Sequence, residues 1–248
     1  MSKLKLGLLL LVVVGVVAFF GFRALNDRDE DEDEKPSSAN STVATEPPAP
    51  VQVAGKEFTY NFDSGEAGKI PVKFHAALTG SGSQPEWIVQ RDASAPSQPN
   101  VLAQTSRDQT DYRFPLAIVD EGSFRDLKLS VKFKAVDGKV DRAAGLVFRL
   151  RDANNYYVVR ANALEDNYNL YHVVKGVRRE ITGSEVKVTS GEWHEIRIEA
   201  VGNKITCYFD GQKKIEATDD TFGDPGKIGL WTKADSVTLF DDLHVVAE

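Results

Sequence analysis

Side chains that could bind a polar, ring-shaped ligand concentrate in one stretch of predicted antiparallel strands, between residues 143 and 181. Side chains of a strand alternate between its two faces. Arg160 and Asn162 therefore share a face, and we expect Arg149 to lie across from them on the neighbouring strand. Guanidinium and amide groups exchange hydrogen bonds with hydroxyls such as those of sugars. A solvated outer face would carry the same polar residues, so the pattern leaves both interpretations open.

Rings near these polar groups could stack on a sugar ring. Tyr171 and His172 are consecutive, so only one of them can share the face of Arg160, and the sequence does not say which. Trp231 is the third candidate ring. The predicted ligand-binding residues are Arg149, Arg160, Asn162, Tyr171, His172 and Trp231.

Carboxylates arranged for glycoside hydrolysis are not evident. A retaining glycosidase needs two carboxylates about 5 Å apart. Glu195 and Glu199 lie on a predicted core strand and are interpreted as solvent-facing. Glu165 and Asp166 lie in a predicted turn and could reach over the polar face, although turns favour such residues anyway. We therefore predict no catalytic residue, and the four scattered histidines show no zinc-ligand spacing.

The elements that must position these groups are short strands separated by turn signals, beginning at about Glu57. That spacing is typical of an all-β, two-sheet antiparallel sandwich. We count about a dozen strands, enough for two sheets of roughly five to seven. Asp210-Gly211 predicts a hairpin turn. The predicted core residues are Leu146, Phe148, Trp193, Ile196 and Ile228.

Composition excludes some functions. The 248-residue chain has a net charge of −7 and a pI near 5.3, whereas a nucleic-acid-binding protein would favour a basic surface. Cys207 is the only cysteine, so neither an intrachain disulfide nor a cysteine zinc site can form.

The N-terminal part predicts a membrane anchor. In residues 1–26, Lys3 and Lys5 precede an uncharged apolar run, Leu6 to Phe22, which reaches the lower limit of about 17 residues for a spanning helix. The basic start favours an N-terminus inside and a domain outside the cytoplasm; a cleaved signal, giving a secreted protein, is the alternative. Residues 27–54, acidic and then rich in Pro, Ser and Thr, predict a disordered stalk. Residues 55–248 form the predicted domain.

Four motifs in fixed order carry a family resemblance: Trp193 to Ile198, Asp210-Gly211, Gly226 to Trp231 and Phe240 to Val245. Together they resemble the laminin G-like members of the concanavalin A-like lectin/glucanase superfamily. The stretch GLVFRLRDANNYYVVRA resembles the 3-keto-disaccharide hydrolases, relatives of family 16 glycosidases. The likeness covers about residues 55–248 and implies a jelly-roll fold.

The resemblance implies a function in sugar recognition. Family 16 enzymes carry the motif E-x-D-x-x-E, and this sequence lacks it. We therefore expect a membrane-anchored, extracytoplasmic, non-catalytic carbohydrate-binding module with a polysaccharide or glycan ligand. The alternative is a surface glycoside hydrolase or keto-glycoside-processing enzyme. Members of the superfamily often bind calcium where the first and last strands meet, which implies a structural calcium site with Asp63 and Asp241 as ligands.

Overall fold

The structure is a computed structural model, and it describes residues 55–248. The predicted anchor, Leu6 to Phe22, and the predicted stalk, residues 27–54, lie outside the described residues. Among residues 55–248, no helix has the length and apolar character needed to cross a membrane.

The described chain folds into fifteen strands. In chain order they are β1 (Glu57–Tyr60), β2 (Phe74–Gly80), β3 (Trp87–Arg91), β4 (Asn100–Gln104), β5 (Arg113–Val119), β6 (Leu127–Asp137), β7 (Ala143–Asp152), β8 (Asn155–Asn162), β9 (Asn167–Val174), β10 (Val177–Glu185), β11 (Trp193–Val201), β12 (Lys204–Phe209), β13 (Gln212–Thr218), β14 (Lys227–Trp231) and β15 (Val237–Ala247).

These strands form two antiparallel sheets. The eight-stranded sheet has the order β13-β12-β11-β6-β15-β4-β3, with β1 paired to β15 as well. The seven-stranded sheet has the order β10-β9-β8-β7-β14-β5-β2. Strands β14 and β15 come late in the chain but lie in the middle of their sheets, which gives the crossed connections of a jelly roll. The predicted two-sheet antiparallel sandwich is confirmed.

The main core lies between the sheets. On β6, Leu127, Leu129, Val131 and Phe133 point inward and are fully buried, while the alternating lysines point outward. From the other sheet, Leu146, Phe148 and Ile228 pack against them. Burying a large apolar side chain contributes about 1.5–3 kcal/mol, so this double layer is the main source of stability.

The prediction that Trp193 lies in the core is wrong. Trp193 is three positions from the buried Ile196, and an odd separation places two residues of a strand on opposite faces. Its partly exposed indole lies on the outer face of β11. There Nε1 donates to Oγ of Ser94 at 3.1 Å, and the Lys134 ammonium lies 5.2 Å from the ring centre.

A second apolar cluster covers the outer face of the seven-stranded sheet. Its fully buried members are Phe114, Leu116, Ala143, Val147, Tyr156, Val158, Val173 and Trp231. Turns from the β7–β8 and β9–β10 hairpins reach across this face. Thr79 on β2 donates to the Ala153 carbonyl of the first turn, and the Tyr112 hydroxyl donates to the Gly176 carbonyl of the second at 2.9 Å. The two hairpins therefore close over part of a face that the sequence predicted to be open.

Candidate functional site

Arg149 does not lie where the alternation of its strand predicts. The pairing of β7 with β8 shifts between Phe148 and Asp152, and Arg149 adopts a left-handed backbone with φ of 46°. The alternation reverses there, so Leu150 joins the outer cluster and Arg149 points between the sheets.

The Arg149 guanidinium connects three separate segments of the domain. It donates to the carbonyls of Arg125 at 2.8 Å, Phe222 at 3.1 Å and Gly202 at 2.6 Å. Its side chain is 1% exposed and lies 3.4 Å from the carboxylate of Asp126. The predicted position of Arg149 beside Arg160 is therefore wrong, and its contacts are those of a residue that holds the fold together.

One row of paired residues crosses the seven-stranded sheet and organises the site. Trp231 on β14 pairs with Gly145 on β7, Gly145 with Arg160 on β8, and Arg160 with Asn169 on β9. A Cβ atom on Gly145 would meet the Val159 carbonyl oxygen at 2.9 Å and the Trp231 ring at 3.2 Å. Glycine is needed there because the indole packs directly against the backbone.

Arg160 is the most constrained polar group of this row. Its Nη2 donates to Oε2 of Glu165 at 2.9 Å and to Oδ1 of Asn167 at 2.6 Å, and its guanidinium lies 5.6 Å from the Tyr171 ring centre. The residue is 3% exposed, and its Nε is buried without a hydrogen bond. Burial raises the pKa of Glu165, but the Arg160 charge and the hydrogen bonds from Asn167 and Arg160 outweigh it and lower that pKa overall.

Asn162 contacts a second set of charged residues, which consists of Asp141, Lys233 and Asp111. Its Nδ2 donates to Oδ1 of the buried Asp141 at 3.0 Å, and the Lys233 ammonium lies 3.0 Å from Oδ2 of the same carboxylate. Lys233 also donates to Asp111, whose side chain is 75% exposed. Burial raises the pKa of Asp141. Burial lowers the pKa of Lys233, but Asp111 and Asp141 more than compensate and raise it.

These residues form one contiguous polar group at the end of the sheet. We call it the polar cluster, and its members are Asp111, Asp141, Arg160, Asn162, Glu165, Asn167 and Lys233. Glu165, with a side chain that is 51% exposed, and Asp111 form its solvent-facing edge, while Asp141 and Arg160 lie beneath. The cluster therefore offers both donors and acceptors to a ligand that approaches from solvent.

The structure decides between the two consecutive rings. Tyr171 shares the face of Arg160. His172 points to the other side, where its Nδ1 lies 3.2 Å from Oγ1 of Thr221 and 3.6 Å from the carboxylate of Asp219. His172 therefore does not reach the polar cluster.

Trp231 lies on the predicted face, but the protein itself covers its ring. The indole is fully buried, stacks on Phe114 with 5.2 Å between ring centres, and donates from Nε1 to the Tyr156 hydroxyl at 3.3 Å. A sugar could stack on the Trp231 ring only if some of the side chains that cover the ring moved away.

The two predicted calcium ligands lie near one loop but already have protein donors. Asp241 is fully buried and accepts from the Ser97 backbone N–H at 2.8 Å and hydroxyl at 2.9 Å, and Asp63 accepts from the Asn100 N–H at 3.1 Å. Within residues 55–248, no group of three or more His, Cys, Asp or Glu side chains could hold a metal. Calcium needs six to eight oxygens, of which these two carboxylates would supply only part, and the calcium site stays a prediction.

Sequence reasoning missed Asp111, Asp141 and Lys233. Asp111 and Lys233 are 122 positions apart, and only the pairing of β5 with β14 brings them together. The one available signal was that Lys233 follows the recognised Gly226 to Trp231 motif by two residues. The sequence predicts that Glu165 lies in a turn from which it could reach the polar face, and the structure places it there.

Comparison with known proteins gives a family and a fold. Residues 82–246 match the family model described as a 3-keto-alpha-glucoside-1,2-lyase-like domain. The carbohydrate-binding module CBM66 from Bacillus subtilis has a TM-score of 0.55 at 18% identity, over 69% of this chain and 95% of that module. The beta-glucanase of Bacillus licheniformis has a TM-score of 0.53 at 15% identity, over 78% of this chain and 99% of the enzyme. No curated protein matches the sequence significantly.

Proposed function

Because the chain belongs to the 3-keto-alpha-glucoside-1,2-lyase-like domain family, we propose that it is a saccharide-binding module whose site is the polar cluster. The observation that carries the proposal is the set of contacts made by the Arg160 guanidinium. This guanidinium lies over the Tyr171 ring and is held by Glu165 and Asn167 at the edge of the cluster.

The carboxylate, amide and guanidinium groups of the polar cluster can form hydrogen bonds with sugar hydroxyls. Carboxylates accept two hydrogen bonds side by side, and amides and guanidinium groups donate in fixed directions. The buried Arg160 Nε has no hydrogen-bond partner, whereas the two oxygens of the buried Asp141 are paired with Asn162 and Lys233. Buried polar atoms without partners are costly, so hydroxyls reaching the cluster would meet groups that are already fixed and desolvated.

The proposal includes the place where the module works. The sequence of residues 1–54 favours a retained anchor followed by an extended spacer, which would hold the domain outside the cytoplasm at the membrane surface. Mass spectrometry of the mature N-terminus tests this part. A mature chain that begins after Ala24 would show that the segment is cleaved and the protein secreted.

Binding is tested with the full chain on a glycan array, followed by calorimetric titration with ordinary and 3-keto disaccharides. Removing a hydrogen bond to a charged group costs about 1.5–3 kcal/mol, which is roughly tenfold or more in affinity. Arg160→Ala should therefore weaken binding by about that factor. The matched control is Arg151→Ala, which removes the same charge from an exposed pair with Asp224. Unchanged binding by Arg160→Ala would move the site away from the polar cluster.

A second candidate function is elimination on a 3-keto-glycoside, the reaction named for the family. The C3 ketone acidifies the C2 proton. A base removes that proton, the C1–O bond breaks as a C1=C2 double bond forms, and an acid protonates the departing oxygen. The observation in its favour is that the Glu165 carboxylate is half-exposed at the edge of the polar cluster and is fixed there by Arg160 and Asn167. Glu165 would be the base, and water would protonate the departing oxygen.

Ultraviolet absorption separates the two functions, because elimination leaves a conjugated enone. If the chain catalyses the reaction, a 3-keto-α-glucoside should gain enone absorbance, and Glu165→Gln should abolish the gain while keeping measurable binding. A substrate that binds but gains no absorbance supports the non-catalytic module.

A further inference from the structure

The Arg178 side chain occupies a hollow formed by three rings on the same face. Its guanidinium carbon lies 4.8 Å from the ring centre of Phe114, 4.6 Å from that of Tyr171 and 5.7 Å from that of Trp231. We call these three rings the aromatic box. Arg160 touches the same box, since it lies over the Tyr171 ring, so the box is continuous with the polar cluster.

Arg178, which is partly exposed, differs from the buried arginines Arg113, Arg149 and Arg160 in how it is held. Arg113 donates to backbone carbonyls, among them that of Ala234 at 2.8 Å, and Arg149 donates to three carbonyls. Arg160 has a carboxylate and an amide as partners. The Nη1 atom of Arg178, in contrast, is buried without a hydrogen bond. Cation–π contact with the box is the main described interaction of this guanidinium, and a buried polar atom without a partner is costly.

The strand that carries Arg178 can move more easily than the strands of the box. β10 is an edge strand that pairs only with β9. The hairpin turn is Lys175-Gly176, with φ values of 51° and 79°. The Tyr112 hydroxyl, just before β5, donates to the Gly176 carbonyl at 2.9 Å and accepts from the Arg178 N–H at 2.8 Å. The Gly176 N–H also donates to the Asn154 carbonyl of the β7–β8 turn at 2.9 Å.

The geometry points to Arg178 as a displaceable cover over a sugar subsite in the aromatic box. When the guanidinium swings outward it regains water, and the C–H face of a pyranose ring takes its place against Trp231 and Tyr171. Hydroxyls of that ring then reach Arg160 in the polar cluster. This inference rests on the proposed function and adds to it an aromatic subsite that is closed in the free protein.

Saccharide can bind only while Arg178 is displaced from the box. The apparent affinity is therefore the affinity of the open box multiplied by the fraction of time that the box is open. If the box is open roughly a tenth of the time, a permanently open variant binds about tenfold more tightly. Arg178→Ala creates that variant. Arg179→Ala is the matched control, because it removes the same charge from the next, exposed residue of β10.

The experiment compares the full-length parent, Arg178→Ala and Arg179→Ala, all in a Trp193→Phe background that leaves the buried Trp87 and Trp231 as the tryptophans. Acrylamide quenching of fluorescence reports exposure of Trp231, and titration with the saccharides that bind the parent reports affinity. We expect stronger quenching and about tenfold tighter binding for Arg178→Ala alone.

The outcomes distinguish the two proposals. If Arg178→Ala binds saccharide no more tightly than the parent, the cover is overturned, while the proposed function stands as long as Arg160→Ala still weakens binding. If no chain binds any saccharide, Arg178→Ala included, both the subsite and the proposed function are overturned.

Discussion

The ammonium of Lys233 lies 3.0 Å from a carboxylate oxygen of Asp141, in a place where the Asp141 side chain is 1% exposed. The same ammonium reaches the exposed Asp111 on the other side. Lys233 therefore links a buried carboxylate to a solvent-facing one at the end of the seven-stranded sheet. Asn162 completes the arrangement by donating to the other oxygen of Asp141.

Replacing Lys233 with methionine should strongly destabilise the domain. The substitution keeps most of the side-chain volume but leaves Asp141 as an uncompensated buried charge, and breaking such a pair costs about 3–5 kcal/mol. Urea unfolding measures the change. The control is Lys132→Met, whose partner is Asp242 and whose side chain is 41% exposed; a surface pair contributes at most about 1 kcal/mol. Equal losses in the two variants would contradict the role assigned to Lys233.

Arg149→Met should destabilise the domain and affect saccharide binding only through that loss. Methionine leaves the carbonyls of Arg125, Gly202 and Phe222 without their donor. The Phe222 carbonyl is buried, and a buried unsatisfied group costs about 1–3 kcal/mol. We expect a loss of about 1–3 kcal/mol in the free energy of unfolding. Arg151→Met, at an exposed pair, should change it by less than about 1 kcal/mol. A stable Arg149→Met variant with weakened binding would return Arg149 to the ligand site.

Asp219 should contribute to acid unfolding. Burial raises its pKa, but hydrogen bonds from Thr221 and Tyr157 and the nearby His172 outweigh it, so the pKa is lowered overall. A carboxyl with a lowered folded-state pKa stabilises the fold above its unfolded value of about 3.9, and that stability is lost as the pH falls through the folded-state pKa.

The measurement is the melting temperature of Asp219→Asn between neutral pH and about pH 2, a range that brackets the unfolded pKa of Asp. Asparagine keeps an acceptor for Tyr157 and Thr221 but cannot ionise. Below about pH 4 the parent should lose stability more steeply than the variant. Asp220→Asn, at the exposed next position, should follow the parent. Parallel curves for the parent and Asp219→Asn would refute the assignment.

Local patterns predicted most of the architecture. The alternation of Leu127 to Phe133 with lysines assigned both faces of β6, and Asp210-Gly211 marked the turn between β12 and β13. The edge strand β2, Phe74–Gly80, has no alternation of apolar and polar residues in its sequence from which it could be predicted.

The site was less predictable because it depends on contacts that are distant in sequence. A residue with a left-handed backbone inside a strand reverses which side chains point to which face of the sheet. Nothing in the residue types near Arg149 signals its φ of 46°. The closure of the outer face depends on Thr79 and Tyr112, which meet turns more than 60 positions away. Arg160 and Asn162 were assigned to the correct face, since they lie on β8 in unbroken alternation.

The two tryptophans of the recognised motifs should differ in their contribution to stability. Trp231 is fully buried, stacks on Phe114 and donates to Tyr156, and truncating such a residue typically costs about 3–5 kcal/mol. Trp193 keeps one side exposed on the outer face of the other sheet and contacts Lys134 and Ser94. Because only part of its surface is buried, we expect Trp193→Ala to cost about 1–2 kcal/mol.

Urea unfolding monitored by circular dichroism measures the free energy of unfolding of Trp231→Ala and Trp193→Ala under the same conditions. Trp231→Phe serves as a third variant, because it keeps a ring against Phe114 while losing the hydrogen bond to Tyr156. Its stability should therefore fall between that of the parent and that of Trp231→Ala. If Trp193→Ala proved as damaging as Trp231→Ala, Trp193 would be supporting the core from the outer face, and the assignment of its strand faces would have to be revised.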